Sequence, residues 1–292
     1  MFTRAIVRQP AANFFEGLTT AGLGAPDYET ALRQHETYCA ALERCGLTLT
    51  RLEADREHPD STFVEDAAVL LPGLADDRAS APVAILTRPG AASRRNEVTS
   101  MRRALESFFP GSAIRAIEPP GTLDGGDICE AADHFFIGIS ERTNETGANQ
   151  LAEILDSLGY TTRLVDIRRD REVKSVPGAD RGPRVGSPRG VVVATGSLLH
   201  LKSGLAYLGG NRLVVTKTRA DREEFTGFQL LEVNHDEEYA ANCVKVNDYV
   251  LVAAGYPVFQ TMLEEMGYQT IPVEMSEFQK MDGGLSCLSL RF

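Results

Sequence analysis

Apolar residues recur at helical spacing five times along the chain. Tyr28, Leu32, His35, Cys39 and Leu42 follow one another at steps of four, three, four and three, behind Pro26 and Asp27. Val98, Met101, Leu105 and Phe108 repeat that spacing, as do Ala148, Leu151, Leu155 and Leu158 behind a capping Asn144. A shorter fourth helix is expected over 220–225, and a fifth opens at Pro257 with Phe259, Met262, Leu263 and Met266 on one side. Each is the pattern of an amphipathic helix with one buried stripe. A glycine follows every one of them (Gly46, Gly111, Gly159, Gly227, Gly267), the usual stop signal at a helix end. Strand-like runs come next at 47–52, 113–117, 162–167, 230–233 and 270–273.

Ahead of the helices the period changes to that of strands. Residues 127–131 pair with 134–138, and 242–246 with 249–253 across the turn dipeptide Asn247-Asp248. The unit is therefore strand-strand-helix-strand, about 50 residues long and present five times. The Arg-, Pro- and Gly-rich stretch 168–190 breaks the spacing and reads as a loop insertion. A second repeat supports the first: Leu123-Asp124-Gly125-Gly126 and Met281-Asp282-Gly283-Gly284 each follow one of the strand-like runs. Paired glycines allow a sharp bend and a close approach by another group. Equivalent loops of a repeated unit gather at one end of a closed ring, where a site can form between them. Residues 1–292 are thus expected to make one α/β domain, not two.

Composition narrows the class without naming it. A hydrophobic content of 43% is enough for a large core, and no apolar run approaches the ~20 residues of a membrane helix. The N-terminus, Met-Phe-Thr-Arg-Ala-Ile-Val-Arg, lacks the apolar region of a signal peptide, so a cytoplasmic protein is expected. The five cysteines are odd in number and scattered, with no CxxC pair, which argues against a disulfide framework and a zinc ribbon. A net charge of −11 argues against nucleic acid as a partner and suits a small cationic substrate.

Candidate chemistry lies in 281–292. There an acid and two glycines precede Cys287, after which Leu288, Leu290 and Phe292 alternate with Ser289 and Arg291. Cys287 sits where a tight turn becomes a strand and is the candidate nucleophile; the alternative is a small buried hydrophobe, the commoner fate of a free cysteine. His35 stands four residues before Cys39, at metal-pair spacing but with no further ligands nearby, so packing is the better reading. His58, His134 and His235 fall in polar, turn-like stretches. His200 interrupts an apolar run and reads equally well as a catalytic base or a satisfied core histidine. Carboxylates concentrate in two loops: Asp60, Glu65 and Asp66 in one, Asp124 and Asp127 about the first double glycine. Such residues are often only solvated or capping. Converging on a thiol, they would suit a planar cation with several N–H donors, and guanidinium is the obvious one.

Together these pieces resemble the guanidino-group-modifying (pentein) superfamily and, within it, the dimethylarginine dimethylaminohydrolases. The resemblance runs over nearly the whole chain. It covers Leu18 in Gly-Leu-Thr-Thr, Pro26-Asp27-Tyr28, Asp60-Ser61-Thr62-Phe63-Val64-Glu65-Asp66, and Thr87-Arg88-Pro89-Gly90 with Ser93-Arg94-Arg95. It continues through Leu123-Asp124-Gly125-Gly126-Asp127, Arg142-Thr143-Asn144, His200-Leu201-Lys202-Ser203 and Asp282-Gly283-Gly284-Leu285-Ser286-Cys287. It implies a five-bladed α/β propeller, with the 168–190 insertion as its clear departure. It also implies roles. Cys287 looks like the nucleophile, His200 the general acid/base, and Asp124 the acid that orients it, a position that is Glu in some relatives. Asp66 would hold a guanidinium, with Glu65 as a direct or supporting partner, and Ser286 joins the substrate-binding set. Arg94 and Arg142 would clamp an α-carboxylate, unless they are only a solvated helix start. Asp60 and the Leu18 carbonyl would take the α-amino group, and Phe63 would wall the pocket. No cofactor or metal is called for.

The implied reaction is hydrolysis of Nω-methylated arginine to citrulline and an alkylamine through a covalent cysteine adduct. The alternatives are an arginine deiminase, a hydrolase of another N-substituted guanidine, and a non-catalytic arginine-binding propeller. Lys202 bears on the choice: arginine deiminases and amidinotransferases carry an acid there, two residues after the histidine. An N,N-dimethylated guanidinium has fewer N–H donors, and an unpaired buried carboxylate facing methyl groups would be costly. The partner expected is a small cationic amino acid, with neither nucleic acid nor membrane; a homodimer is one candidate assembly.

Overall fold

Each strand that follows a helix lies parallel to the strand before that helix, as a crossover connection requires. In the computed structural model, which describes residues 1–71, 82–168, 170–174, 193–197 and 199–292, the three-stranded sheet occurs five times, with an α-helix joining the parallel strands in four blades and 3-10 turns in the other. The first blade comprises strands Ala68–Leu71, Val83–Leu86 and Ile114–Ala116, and the second Ile128–Ala131, His134–Ile139 and Thr161–Asp166. The third holds Leu205–Tyr207, Arg212–Thr216 and Gln229–Val233, and the fourth Val244–Val246, Tyr249–Ala253 and Gln269–Val273. The fifth is built from both ends of the chain. Leu290–Arg291 pairs antiparallel with Arg4–Arg8, which runs parallel to Thr48–Leu52. The architecture is the five-bladed α/β propeller.

Local chemistry sets the helices. Asp27 caps Tyr28–Arg44 by accepting from the Thr30 N–H at 2.8 Å, and Asn144 caps Glu145–Ser157 through the Gly147 N–H at 2.8 Å. The buried stripe of the first runs through Ala31, Gln34, His35, Tyr38, Cys39 and Leu42, and packs on Val246, Leu251 and Ile271 of the fourth blade. Glu97–Leu105 and Pro257–Glu265 fill the same place in the first and fourth blades. Gly46, Gly159, Gly227 and Gly267 take positive φ as expected, whereas Gly111 opens a separate 3-10 turn, Gly111–Ala113.

The expected helix over 220–225 is not formed. Two 3-10 turns, Lys217–Arg219 and Glu223–Phe225, stand there instead. So short a stretch gains little from helix propagation. Its shape is fixed by Arg219, wholly buried, whose Nε donates to Asp170 at 2.9 Å and whose other nitrogens reach the carbonyls of Leu201 and His200. The stretch 168–190 is not loop throughout: Arg171–Lys174 is a strand, paired antiparallel with Val193–Ser197 beyond it, while residues 169 and 175–190 lie outside the described residues. No helix among the described residues is long and apolar enough to cross a membrane.

One local feature recurs in every blade and places the site. Immediately ahead of each first strand the chain makes a 3-10 turn: Val64–Ala67, Gly125–Asp127, Leu201–Gly204, His235–Ala241 and Ser286–Leu288.

Candidate active site

Those five turns, or the residues that cap them, carry most of the candidate residues. A small cavity is lined by Leu18, Asp60, Phe63, Asp66, Arg94, Arg142, Leu199, His200, Met281, Asp282, Gly283 and Cys287. The thiol and the imidazole, distant in sequence, therefore meet at one mouth. Its volume is about 20 Å3, room for roughly one water. Across it lies the segment after Gly17, held by Thr20, whose N–H and hydroxyl donate to Asp282 Oδ2 at 2.5 and 3.0 Å, and by Thr19, whose hydroxyl donates to the Lys280 carbonyl at 2.7 Å.

His200 Nε2 lies 3.1 Å from Asp124 Oδ2, with Asp124 fully buried. Burial opposes charge on the imidazole, but Asp66, the Asp124 hydrogen bond and Asp127 outweigh it and raise His200 to about 9. Cys287 moves the other way. Burial, then Glu65 and Asp66, push the thiol up to about 12, although the Gly284 N–H points at Sγ from 3.4 Å. Both shifts run in the direction of a neutral thiol beside a protonated imidazole. Asp66 is held down to about 2: its burial is more than offset by His200, Arg94 and the Gly126 N–H.

Both double glycines are explained by close approach. Cβ atoms on Gly125 and Gly126 would sit 2.0 Å from the Glu65 carbonyl and 2.6 Å from His200 Nδ1; on Gly283 and Gly284, 2.3 Å from the Phe63 ring and 2.5 Å from Asn242. None of the four takes positive φ; Asp282 does instead, at 57°. Phe63 is fixed by edge contacts with Phe14 and Phe278 and walls the cavity. Asp60 accepts the Leu18 N–H at 3.0 and 3.2 Å.

Two of the expected substrate contacts stand elsewhere. Glu65 and Ser286 do not line this cavity. They line a second one of about 380 Å3, ringed by first-strand residues such as Val69, Ile128, Ala206, Val244 and Leu290. Adjacent residues on a 3-10 turn diverge, so Asp66 faces the mouth while Glu65 turns to Lys202 Nζ at 2.5 Å and accepts from Ser286 Oγ at 2.7 Å. Arg94 lines the cavity but is not an open clamp. Its Nε and Nη2 donate to Glu97, Nη1 to Asp66 at 2.5 Å, and Nη2 also to the Asp60 and Phe63 carbonyls. The Arg142 guanidinium makes no hydrogen bond or ion pair among the described residues and stays half-buried at the cavity.

Lys202 likewise points away from the cavity, so its position contributes no carboxylate to it. Asp127 faces inward too, accepting from Ser140, Thr143 and the Leu201 N–H at 2.7, 2.6 and 2.9 Å. It ties the Arg142 loop to the residue after His200. Asn242, which no sequence pattern singled out, joins Ser286 to Lys202. Ligand atoms of Asp66, Asp124 and His200 lie within 4.8 Å of one another, the spacing of a metal set. Each acid of the set is already engaged, Asp66 by Arg94 and the Gly126 N–H, and Asp124 by the Gly90 N–H and His200.

No family model matches the chain. A dimethylarginine dimethylaminohydrolase of Pseudomonas aeruginosa is 41% identical over 292 residues, covering 100% of both chains. One of Streptomyces coelicolor is 30% identical, covering 99% of this chain and 96% of its own. A solved structure of the Pseudomonas enzyme, a cysteine-to-serine mutant complexed with citrulline, superposes with a TM-score of 0.84 at 39% identity, each chain covered 100%. The amino-terminal domain of a cyanobacterial arginine dihydrolase shares the fold at 16% identity, with a TM-score of 0.73 over 100% of this chain and 97% of its own. With this sequence, this fold and a thiol, an imidazolium and three carboxylates at one mouth, the chain belongs to the dimethylarginine dimethylaminohydrolase family.

Proposed function

We propose that the protein hydrolyses Nω-methylated arginine to citrulline and an alkylamine. The observation that carries this reading is the convergence of Cys287, Asp66 and His200, with Asp124 bonded to the imidazole, on one cavity, in a chain 41% identical over its full length to a dimethylarginine dimethylaminohydrolase. The substrate enters when the contacts of Thr19 and Thr20 with Lys280 and Asp282 part, because the closed cavity is far too small for it. Arg142 takes the α-carboxylate, Asp60 and the Leu18 carbonyl take the α-amino group, and Asp66 takes the guanidinium. Arg94 keeps Asp66 ionised and in place.

A guanidinium carbon is a poor electrophile because resonance spreads its charge. The arriving cation offsets the carboxylates that hold the Cys287 thiol neutral, so the thiol gives up its proton to solvent as substrate binds and Sγ attacks as the thiolate. His200, protonated at rest, gives its proton to the departing dimethylamine, leaving an S-alkylthiouronium on Cys287. The neutral imidazole, oriented by Asp124, then deprotonates water, which attacks the same carbon. Collapse expels Sγ and releases citrulline. The site provides few acceptors on the side of the leaving nitrogen, because Lys202 stands where a deiminase has an acid and is itself turned away. That favours the methylated substrate over arginine.

Two measurements test the reading. Asymmetric dimethylarginine is expected to give dimethylamine and citrulline, with arginine a much poorer source of ammonia. Intact-protein mass spectrometry of quenched reactions should show a substrate-sized adduct that Cys287→Ser lacks. A preference for arginine, or wild-type rate in Cys287→Ser, overturns it.

A further inference from the structure

A closed circuit of hydrogen bonds runs behind the cavity. Asn242 Nδ2 donates to the Lys202 carbonyl at 2.9 Å and to Ser286 Oγ at 3.1 Å, while its Oδ1 accepts the Ser286 N–H at 2.9 Å. Ser286 Oγ donates to Glu65 Oε2 at 2.7 Å, and Lys202 Nζ closes the circuit on Glu65 Oε1 at 2.5 Å. Its members belong to the equivalent turns of four blades. Ser286 directly precedes Cys287, Glu65 directly precedes Asp66, and Lys202 follows His200 by two residues.

Asn242 is the member that spans the two catalytic loops, since it alone bonds the backbone of both. It is buried and does not line the substrate cavity. A second contact braces the same loop: Tyr239, from the turn that ends at Asn242, donates its hydroxyl to the Gly283 carbonyl at 2.8 Å. Gly284 packs so tightly on Asn242 that a Cβ there would lie 2.5 Å from its Cγ. A carboxamide is suited to this place, because it presents donors and an acceptor from one planar group. An aspartate would keep the acceptor and lose both donors.

We propose that Asn242 is a positioning residue for the hydrolysis: by bracing the loops of Cys287 and His200 against each other, it sets the separation at which thiolate and imidazolium act. The inference rests on the reaction proposed above. A displacement of about 1 Å between reacting groups can cost roughly a hundredfold in rate, whereas the hydrogen bonds of the Asn242 side chain go to Lys202 and Ser286 and not to Asp66, Asp60 or Arg142, which hold the substrate.

The test is Asn242→Asp, assayed with asymmetric dimethylarginine well below its melting temperature. The expected result is a fall in kcat of about ten- to a hundredfold with KM changed less than about threefold, and slower formation or decay of the Cys287 adduct. Citrulline should bind with unchanged affinity. Ser286→Ala cuts one of the two links between Asn242 and Ser286, together with the Ser286–Glu65 bond, and keeps the Asn242 bonds to both backbones, so it serves if the first variant does not fold; a smaller fall in kcat is expected. A lower melting temperature with wild-type kcat in the folded variants, or a rise in KM alone, overturns the proposal. Absence of turnover by the wild type would instead remove the reaction on which it rests.

Discussion

Gly126 lies against His200 so closely that a Cβ on it would stand 2.6 Å from Nδ1, and 2.9 Å from Asp66 Oδ1. The glycine is what lets the imidazole sit between two acids. Gly126→Ala must push the ring away from Asp124 or shift the Asp66 carboxylate, and either loosens the acid/base. Overpacking of this kind typically costs about 1–3 kcal/mol of stability. A loss in kcat of a hundredfold or more is expected, beyond what unfolding explains. Steady-state kinetics beside a thermal melt checks it; a folded Gly126→Ala enzyme with kcat near wild type would mean the ring is not so confined.

Asp66 bears on the protonation of both catalytic groups, so its charge can be read from the free enzyme. It helps hold His200 up at about 9 and, with burial and Glu65, holds Cys287 up at about 12. In Asp66→Asn the thiol should ionise at lower pH. Alkylation of Cys287 by neutral iodoacetamide at pH 8 should then quicken, roughly threefold for every tenfold gain in acidity of the thiol, since the thiolate fraction grows while its intrinsic nucleophilicity falls. Turnover should fall, because the guanidinium loses its anchor. Alkylation no faster than in the wild type would show that burial alone controls the thiol.

Much of this arrangement was legible in the sequence, and the exceptions have physical causes. Helices with a buried stripe betray their period, so Tyr28–Arg44 and Glu145–Ser157 were readable, with their caps. The sheet joining Leu290–Arg291 to Arg4–Arg8 was not, because pairing between the two ends of a chain leaves no local signal. Neighbouring Glu65 and Asp66 looked like one acidic site, yet a 3-10 turn sends them to different cavities. Arg94 carried a readable clue in Glu97, three residues on, the spacing of a side-chain pair on a helical turn. Asn242 carried none, since its three hydrogen bonds reach only residues some forty positions away.

Stability should depend on pH through the His200–Asp66 contact, and the signs are fixed. His200 is raised from 6.5 to about 9, so the native state holds a proton the unfolded chain has lost. Its contribution is fully present below about pH 6.5 and disappears as pH rises through 9. Asp66 is lowered from 3.8 to about 2, so its contribution is present above about pH 4 and is lost as pH falls toward 2. The two displacements describe largely one interaction and do not add; one as large as that of His200 corresponds to about 3 kcal/mol. Urea titrations should therefore place maximal stability between about pH 4 and 6.5, and His200→Gln should flatten the alkaline limb. An alkaline limb unchanged in His200→Gln would assign the dependence to other groups.

Arg94 and Arg142 should separate cleanly, one as structure and the other as binding. Arg94 is 5% exposed and ion-paired to Asp66 and Glu97. Removing one partner from a buried, hydrogen-bonded pair typically costs about 3–5 kcal/mol, because the other charges are left uncompensated. Arg94→Met should therefore lower the urea midpoint strongly. Arg142 has no such partners among the described residues, and Arg142→Met should change stability by less than about 0.5 kcal/mol. Its effect should appear in KM, since hydrogen bonds to a charged group are worth about 1.5–3 kcal/mol, or roughly a ten- to hundredfold rise. A substrate amide lacking the α-carboxylate charge should lose that advantage in the wild type and show little further loss in Arg142→Met. If Arg142→Met leaves KM for the free amino acid unchanged, the carboxylate is held by Arg94 after all, which would then have to release Asp66 when substrate arrives.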